Sequence, residues 1–250
     1  MDHQSLTADH PVRQVFRFIE SQGESPEALS ADGLDERFNE LALALFEFQF
    51  AQNPPLRRWC ENRGAHPQKI DHWTQIPAMP TTAFREMELS CIQPDQRSVS
   101  FHSSGTTGHQ PSRHFHSAAS LQLYDASLKP WFRRHLLPNW QPSVADEGGK
   151  LRMRPQILSL TPPPAAAPNS SLVHMFEVVR QEFGDAHSVF AGSVDVDGGW
   201  SFAPEEVAGW LQRHTVLNHP VIFCGTAFNF VQLIDWMISR DECINLPPGS

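Results

Sequence analysis

Basic residues are scarce in this chain: 19 Lys and Arg stand against 28 Asp and Glu, a formal net charge of -9. No basic run offsets that balance, so a protein that grips nucleic acid or an anionic membrane surface through a positive face is excluded. Cysteines are few as well. Cys60, Cys91, Cys224 and Cys243 are scattered with no CxxC pair, which removes a zinc ribbon and a dense disulfide framework and leaves free thiols in a reducing, cytoplasmic compartment as the expectation. The opening residues MDHQSLTADH lack the basic region and apolar core of a secretory signal. Long apolar runs are missing too: the greasiest, LALALFEFQF at residues 41–50, is broken by Glu47 and Gln49 and falls far short of the ~20 residues that span a bilayer. There is no G-x-S-x-G elbow, so an α/β-hydrolase is not supported.

What the chain does have is a run of hydroxyls and glycines, SVSFHSSGTTGHQPSRHFH at residues 98–116, directly after a short β-prone segment. Gly105 and Gly108 allow close backbone approach, and Ser103, Ser104, Thr106 and Thr107 add hydroxyl donors to whatever main-chain N–H groups turn inward. Such a concave set of donors suits a phosphate, although Ser, Thr and Gly are equally the residues of an ordinary turn. The lysine-containing P-loop is excluded, because no lysine follows Gly108. Arg113 is the available cation, and its planar fork suits phosphate oxygens.

A chain of 250 residues is long enough for one large domain with an ample core. Leu34, Phe38, Leu41, Leu45 and Phe48 step by four and three, which predicts an amphipathic helix ended by Asn53-Pro54-Pro55 and a helical region over about residues 1–65. From residue 66 to 250 the grammar is α/β. Short β-prone runs at residues 99–101, 156–160, 188–191 and 221–224 are followed by small or turn residues and helix-like sequence, clearest in VIFCGTAFNFVQLIDWM. Units of that kind stack into a mostly parallel sheet flanked by helices, which presents ligands at the carboxyl ends of its strands. The turns at Ser104, Thr161 and Thr226 are therefore expected at one rim. Proline-rich sequence at residues 138–149 and TPPPAAAP at residues 161–168 predicts rigid surface loop.

Several side chains carry two readings at this level. His114 and His116, with His102 and His109 near, are spaced to share a strand face, but no cysteine or close acid completes a four-ligand metal set, so solvated loop histidines are expected. His174 is a titratable candidate for the chemistry, while Ser171 before it serves equally as a helix cap. Cys224 ends the apolar run VIFC, where an inert buried thiol is expected over an acyl-accepting nucleophile. Phe228 is expected in the core.

The run SSGTTG followed by a basic residue resembles the phosphate loop of the adenylate-forming superfamily, the acyl-CoA synthetases and their relatives. Taken in order, IPAMPTTAF at residues 76–84, SSGTTGHQPSRH, SSLVHMFEV at residues 170–178 and the closing LPPGS resemble the acyl-protein synthetase family, whose best-known member activates fatty acids for the reductase complex of bacterial luminescence. The resemblance implies that the chain is part of an adenylate-forming large domain. It implies ATP-dependent activation of a fatty acid to an acyl-adenylate, transfer of the acyl group to a thiol or protein acceptor such as an acyl reductase, and magnesium carried in with ATP. Ser103, Ser104, Gly105, Thr106, Thr107, Gly108 and Arg113 would then hold the phosphates. Gly225, Thr226 and Ala227 would floor the acyl channel. In that family an aromatic-Gly-x-Thr-Glu adenine motif, a ribose-binding aspartate and a lid with a catalytic lysine follow the point at which this sequence stops, so residues 1–250 are expected to be an incomplete adenylation domain. A noncatalytic remnant that binds an acyl ligand or a protein partner is the alternative.

Overall fold

A computed structural model describes residues 6–7, 9–24, 31–103, 111–137 and 154–250. It is a mixed helix-and-sheet protein that divides into two compact units, Met1–Pro130 and Trp131–Ser250.

The first unit opens on helices α1 (Pro11–Glu24), α2 (Ala31–Gln52) and α3 (Pro54–Glu61). Asn53 separates α2 from α3 and caps the latter, its side-chain oxygen accepting the Leu56 N–H at 3.2 Å while Pro54 and Pro55 supply the fixed φ of a first turn. The predicted helix is therefore present, and its stripe is covered in part: Leu41 is buried and Leu45 and Phe48 are half-buried, while Leu34 and Phe38 are exposed. Phe46, off the stripe, is buried with Cys60 and Ala65, and Phe50, Leu56 and Trp59 pack around them. The reason is that α2 packs against both α1 and α3, so its apolar residues spread around the barrel of the helix and a single stripe misjudges which ones are covered.

After the short helix α4 (Ala83–Glu86), strands β1 (Val99–His102) and β2 (Arg113–His116) form an antiparallel hairpin. Val99 pairs with His116, Phe101 with His114 and His102 with Arg113. Helix α5 (Ala118–Leu136) follows and contains Pro130, the last residue of the first unit.

The second unit is built on a three-stranded parallel sheet of order β4-β3-β7, with β3 (Gln156–Ser159) in the centre, β4 (Val189–Phe190) on one side and β7 (Val221–Cys224) on the other. All four residues of β3 are buried, as expected of a strand covered on both faces. Helix α6 (Ser171–Phe183) is the crossover from β3 to β4, α7 (Pro204–Leu217) precedes β7, and α8 (Ala227–Ser239) follows it. Leu158, Leu160, Val221, Val207, Leu211 and Leu233 make the core between sheet and helices. A small antiparallel hairpin of β5 (Gly192–Val194) and β6 (Trp200–Phe202) leaves the sheet after β4.

The expected strands near residues 99, 156, 188 and 221 are β1, β3, β4 and β7, but β1 pairs antiparallel with β2 and is not a strand of the parallel sheet. Of the three turns expected at one rim, only those at Thr161 and Thr226 therefore follow strands of that sheet, and Ser104 lies outside the described residues. TPPPAAAP is neither helix nor strand, but it does not lie wholly on the surface: Thr161 and Pro162 are fully buried. The Thr161 hydroxyl is 2.9 Å from Ser159 Oγ, so the loop starts inside the sheet layer before it emerges. The other proline-rich stretch, residues 138–149, lies outside the described residues. No helix among the described residues is long and apolar enough to cross a membrane.

Candidate functional site

Two regions carry the residues that the sequence singles out, one in each unit. In the first, β1 and β2 frame the hydroxyl-rich run as the ends of a hairpin. Ser104, Gly105, Thr106, Thr107 and Gly108, together with His109, lie outside the described residues; Ser103, Ser112 and Arg113 are within them. The neck is closed by two hydrogen bonds. The Ser103 N–H donates to the Ser112 carbonyl at 3.1 Å, and the Ser112 N–H donates to Ser103 Oγ at 3.0 Å. Ser103 therefore has a structural task, and its own hydroxyl hydrogen is left to donate.

Antiparallel partners share a face of the ladder, and the face alternates along each strand. Ser103 and Ser112 lie with Phe101 and His114, while Arg113 lies on the opposite face with His102. On that opposite face the Arg113 guanidinium sits 5.7 Å from the Phe115 ring, and Arg97 lies over the same ring at 4.1 Å. Glu88 belongs to this group: a hydrogen bond from Arg97 holds its carboxyl below the usual range against a small opposing effect of burial, and the charges of Arg97 and Arg113 add to the lowering. The structure does not bring Ser103 and Arg113 to one face.

His114 and His116 do share a face, each bonded to a serine. His114 Nε2 is 3.1 Å from Ser112 Oγ and His116 Nδ1 is 3.3 Å from Ser120 Oγ. Phe84, the last residue of the IPAMPTTAF segment, packs its ring on His114 with centroids 5.0 Å apart. Among the described residues no three His, Cys, Asp or Glu side chains gather closely enough to hold a metal ion.

In the second unit the carboxyl edge of the parallel sheet gathers residues 160–161, 191–192 and 225–226. Thr226 caps α8 in a reciprocal box, its hydroxyl accepting the Asn229 N–H at 3.2 Å and donating to Asn229 Oδ1 at 2.7 Å, while the Thr226 N–H donates to the same oxygen at 2.9 Å. Gly225 abuts Leu160, where an added Cβ would stand 3.3 Å from the leucine Cβ. Ala227 is exposed. Packing and capping thus occupy Gly225 and Thr226. Phe228, expected in the core, is 86% exposed, because the buried face of α8 belongs to Asn229 and Leu233.

His174 is half-buried in the first turn of α6, and the cap of that helix is Ser170, one residue before Ser171. Ser170 Oγ accepts the Val173 N–H at 3.2 Å. One turn on, Arg180 holds the Glu177 carboxyl below its ordinary pKa through a hydrogen bond at 2.7 Å; burial opposes this, and Gln181, the Arg180 charge and His174 each assist. A carboxyl with a lowered folded pKa stabilises the fold above its unfolded pKa of ~4.3 and loses that contribution as pH falls through the folded value. Glu177→Gln should therefore cost at most about 1 kcal/mol near neutrality, since the pair is partly solvated, and progressively less as pH falls below ~4. Urea unfolding of both proteins across that range checks this.

Burial pushes the Cys224 thiol up to about 12, so it carries almost no thiolate at neutral pH. Cys243 is exposed. A thiol reagent applied to the folded protein at pH ~8 is expected to label Cys243 and to spare Cys224 until denaturant is added; peptide mapping reads the difference.

Compared with known proteins, the chain matches no family model, no curated protein and no solved structure.

Proposed function

We propose that this protein activates a carboxylic acid, a long-chain fatty acid by its resemblance, with ATP and passes the acyl group to a protein or thiol acceptor. A carboxylate oxygen attacks the α-phosphorus, the bond to the bridging oxygen breaks, and pyrophosphate leaves with the electron pair. The acceptor then attacks the acyl carbonyl, and AMP leaves as the acceptor proton passes to solvent or a base. Negative charge sits on the attacking oxygen, the α-phosphate and the leaving group throughout, so the site must present fixed donors to it.

The observation that supports this reading is the hairpin neck: the four paired residues of each strand and two Ser103–Ser112 hydrogen bonds hold both ends of the hydroxyl-rich run in fixed register. In this reading Ser103 stands with Ser104, Gly105, Thr106, Thr107 and Gly108 as the phosphate contact. Magnesium carried in with ATP would supply charge neutralisation for the departing pyrophosphate when bound. Such a reaction belongs to a soluble cytoplasmic ligase.

One feature favours a second reading, a noncatalytic protein that binds a partner or an acyl ligand. Phe228, Val231, Ile234 and Ile238 form a stripe along α8 at helical spacing, 86%, 54%, 53% and 71% exposed. Fatty-acid-dependent exchange of labelled pyrophosphate into ATP separates the two. Exchange that requires both the acid and magnesium supports the ligase; acyl binding without exchange supports the binding protein.

A further inference from the structure

The phosphate-holding run lacks the lysine that a P-loop carries, and Arg113 stands on the face of the hairpin away from Ser103. On the face that Ser103 occupies, the imidazole nearest the neck among the described residues is His114. Its position is fixed from two directions. The Phe84 ring packs against it at 5.0 Å with planes 32° apart, and Ser112 Oγ holds Nε2 at 3.1 Å. Ser112 is itself buried, and its N–H is committed to Ser103 Oγ. Three polar side chains, Ser103, Ser112 and His114, therefore stand together on one face at the mouth of the hairpin, joined by hydrogen bonds, with the imidazole exposed at their outer end.

We propose that His114, positioned by Ser112 and Phe84, supplies the donor to the phosphate oxygens of a nucleoside triphosphate and of pyrophosphate at this neck, the contact that the sequence assigns to Arg113. The inference rests on the nucleotide reading above and deepens it by naming the polyphosphate contact. Chemically the assignment is economical. An imidazole donates one N–H when neutral and two when protonated, so with Nε2 engaged by Ser112 it still offers its Nδ1 edge to an anion. A hydrogen bond to an anionic phosphate oxygen is charge-assisted and stronger than a neutral one, which sets the size of the expected effect.

The test uses the full 250-residue chain and measures binding of magnesium-ATP and of inorganic pyrophosphate by calorimetry. His114→Phe keeps an aromatic ring against Phe84 and removes both nitrogens; it should weaken both ligands about tenfold or more. Arg113→Gln should change them less than about twofold, as expected of a charge on the other face. His114→Asn, which restores an N–H near Nδ1, should recover part of the loss. Its binding also decides the matter if His114→Phe fails to fold by urea titration. Unchanged binding in a folded His114 variant overturns the assignment and leaves the nucleotide reading standing, as does a loss confined to Arg113→Gln. If the unaltered chain binds neither ligand, both the assignment and the nucleotide reading fall.

Discussion

Replacing Gly192 by alanine should destabilise the second unit by about 3 kcal/mol, the upper range for overpacking a rigid site. A Cβ at Gly192 would lie 2.4 Å from the Thr161 carbonyl carbon, 2.5 Å from the Leu160 oxygen and 2.7 Å from the Pro162 nitrogen. All three are backbone atoms, so no side chain can swing aside. The neighbourhood is also tied by hydrogen bonds, with the Gly192 N–H donating to the Thr161 carbonyl at 3.2 Å and the Ala191 N–H to the Ser159 carbonyl at 2.7 Å. Relief requires β4 to separate from the end of β3, at the sheet edge where Thr161 and Pro162 are fully buried. Gly209 makes the contrast. It lies within α7, and a Cβ there meets only the tip of Arg213 at 3.7 Å, so Gly209→Ala should add about 0.5 to 1 kcal/mol by restricting the unfolded chain and favouring helix. Equilibrium urea unfolding of the two variants beside the parent reads both signs in one experiment. A Gly192→Ala protein as stable as the parent would mean that the close backbone approach is absent.

The same edge shows which parts of the fold were legible in the sequence. Strands β3 and β7 centre on apolar residues, Ile157-Leu158 and Val221–Cys224, stopped by small or turn residues, and the signal is clearest in β3 because a strand buried along its length has no solvent-facing positions to blur it. The order β4-β3-β7 was not legible, since it depends on which strands pair across long separations. β2 reads as RHFH, too polar and histidine-rich to mark as strand until Phe101 and Phe84 are seen against its histidine face. The β5–β6 hairpin is signalled only at its turn, Asp197-Gly198, where Gly198 takes a φ of +83°.

At the candidate site, residue types were legible and faces were not. Ser103 and Arg113 both suit phosphate chemistry, and nothing in a linear sequence separates them. A register that pairs residue 102 with 113 separates them at once, because neighbouring positions on a strand point to opposite sides. Phe228 failed for a related reason. Apolarity predicts burial only where an element has something to cover it, and α8 presents apolar residues on two faces, one over the core through Leu233 and one exposed through Phe228 and Ile238.

In a version extended through the adenine motif and lid that the resemblance implies, removing the Ser104 and Thr107 hydroxyls together should slow fatty-acid-dependent ATP–pyrophosphate exchange by about a hundredfold, the scale on which lost donors to developing charge are felt. The two positions lie outside the described residues, so the argument runs from chemistry and from the hairpin ends. Glycines at 105 and 108 carry no side chain to donate, and the Ser103 hydroxyl oxygen already accepts the Ser112 N–H. Hydroxyl donation to the phosphates within residues 104–108 then falls to Ser104, Thr106 and Thr107, and the double variant removes two of the three. Stability should change little, because the register from Val99 to Ser112 is held by backbone pairing and by Ser103, none of which is touched. A turn-forming role predicts the reverse, with urea stability reduced and exchange falling only in proportion to the folded fraction. The two outcomes separate on one plot of exchange rate against fraction folded. A fully folded Ser104→Ala, Thr107→Ala protein that exchanges at the parent rate would remove the phosphate assignment, and with it the principal support for a ligase.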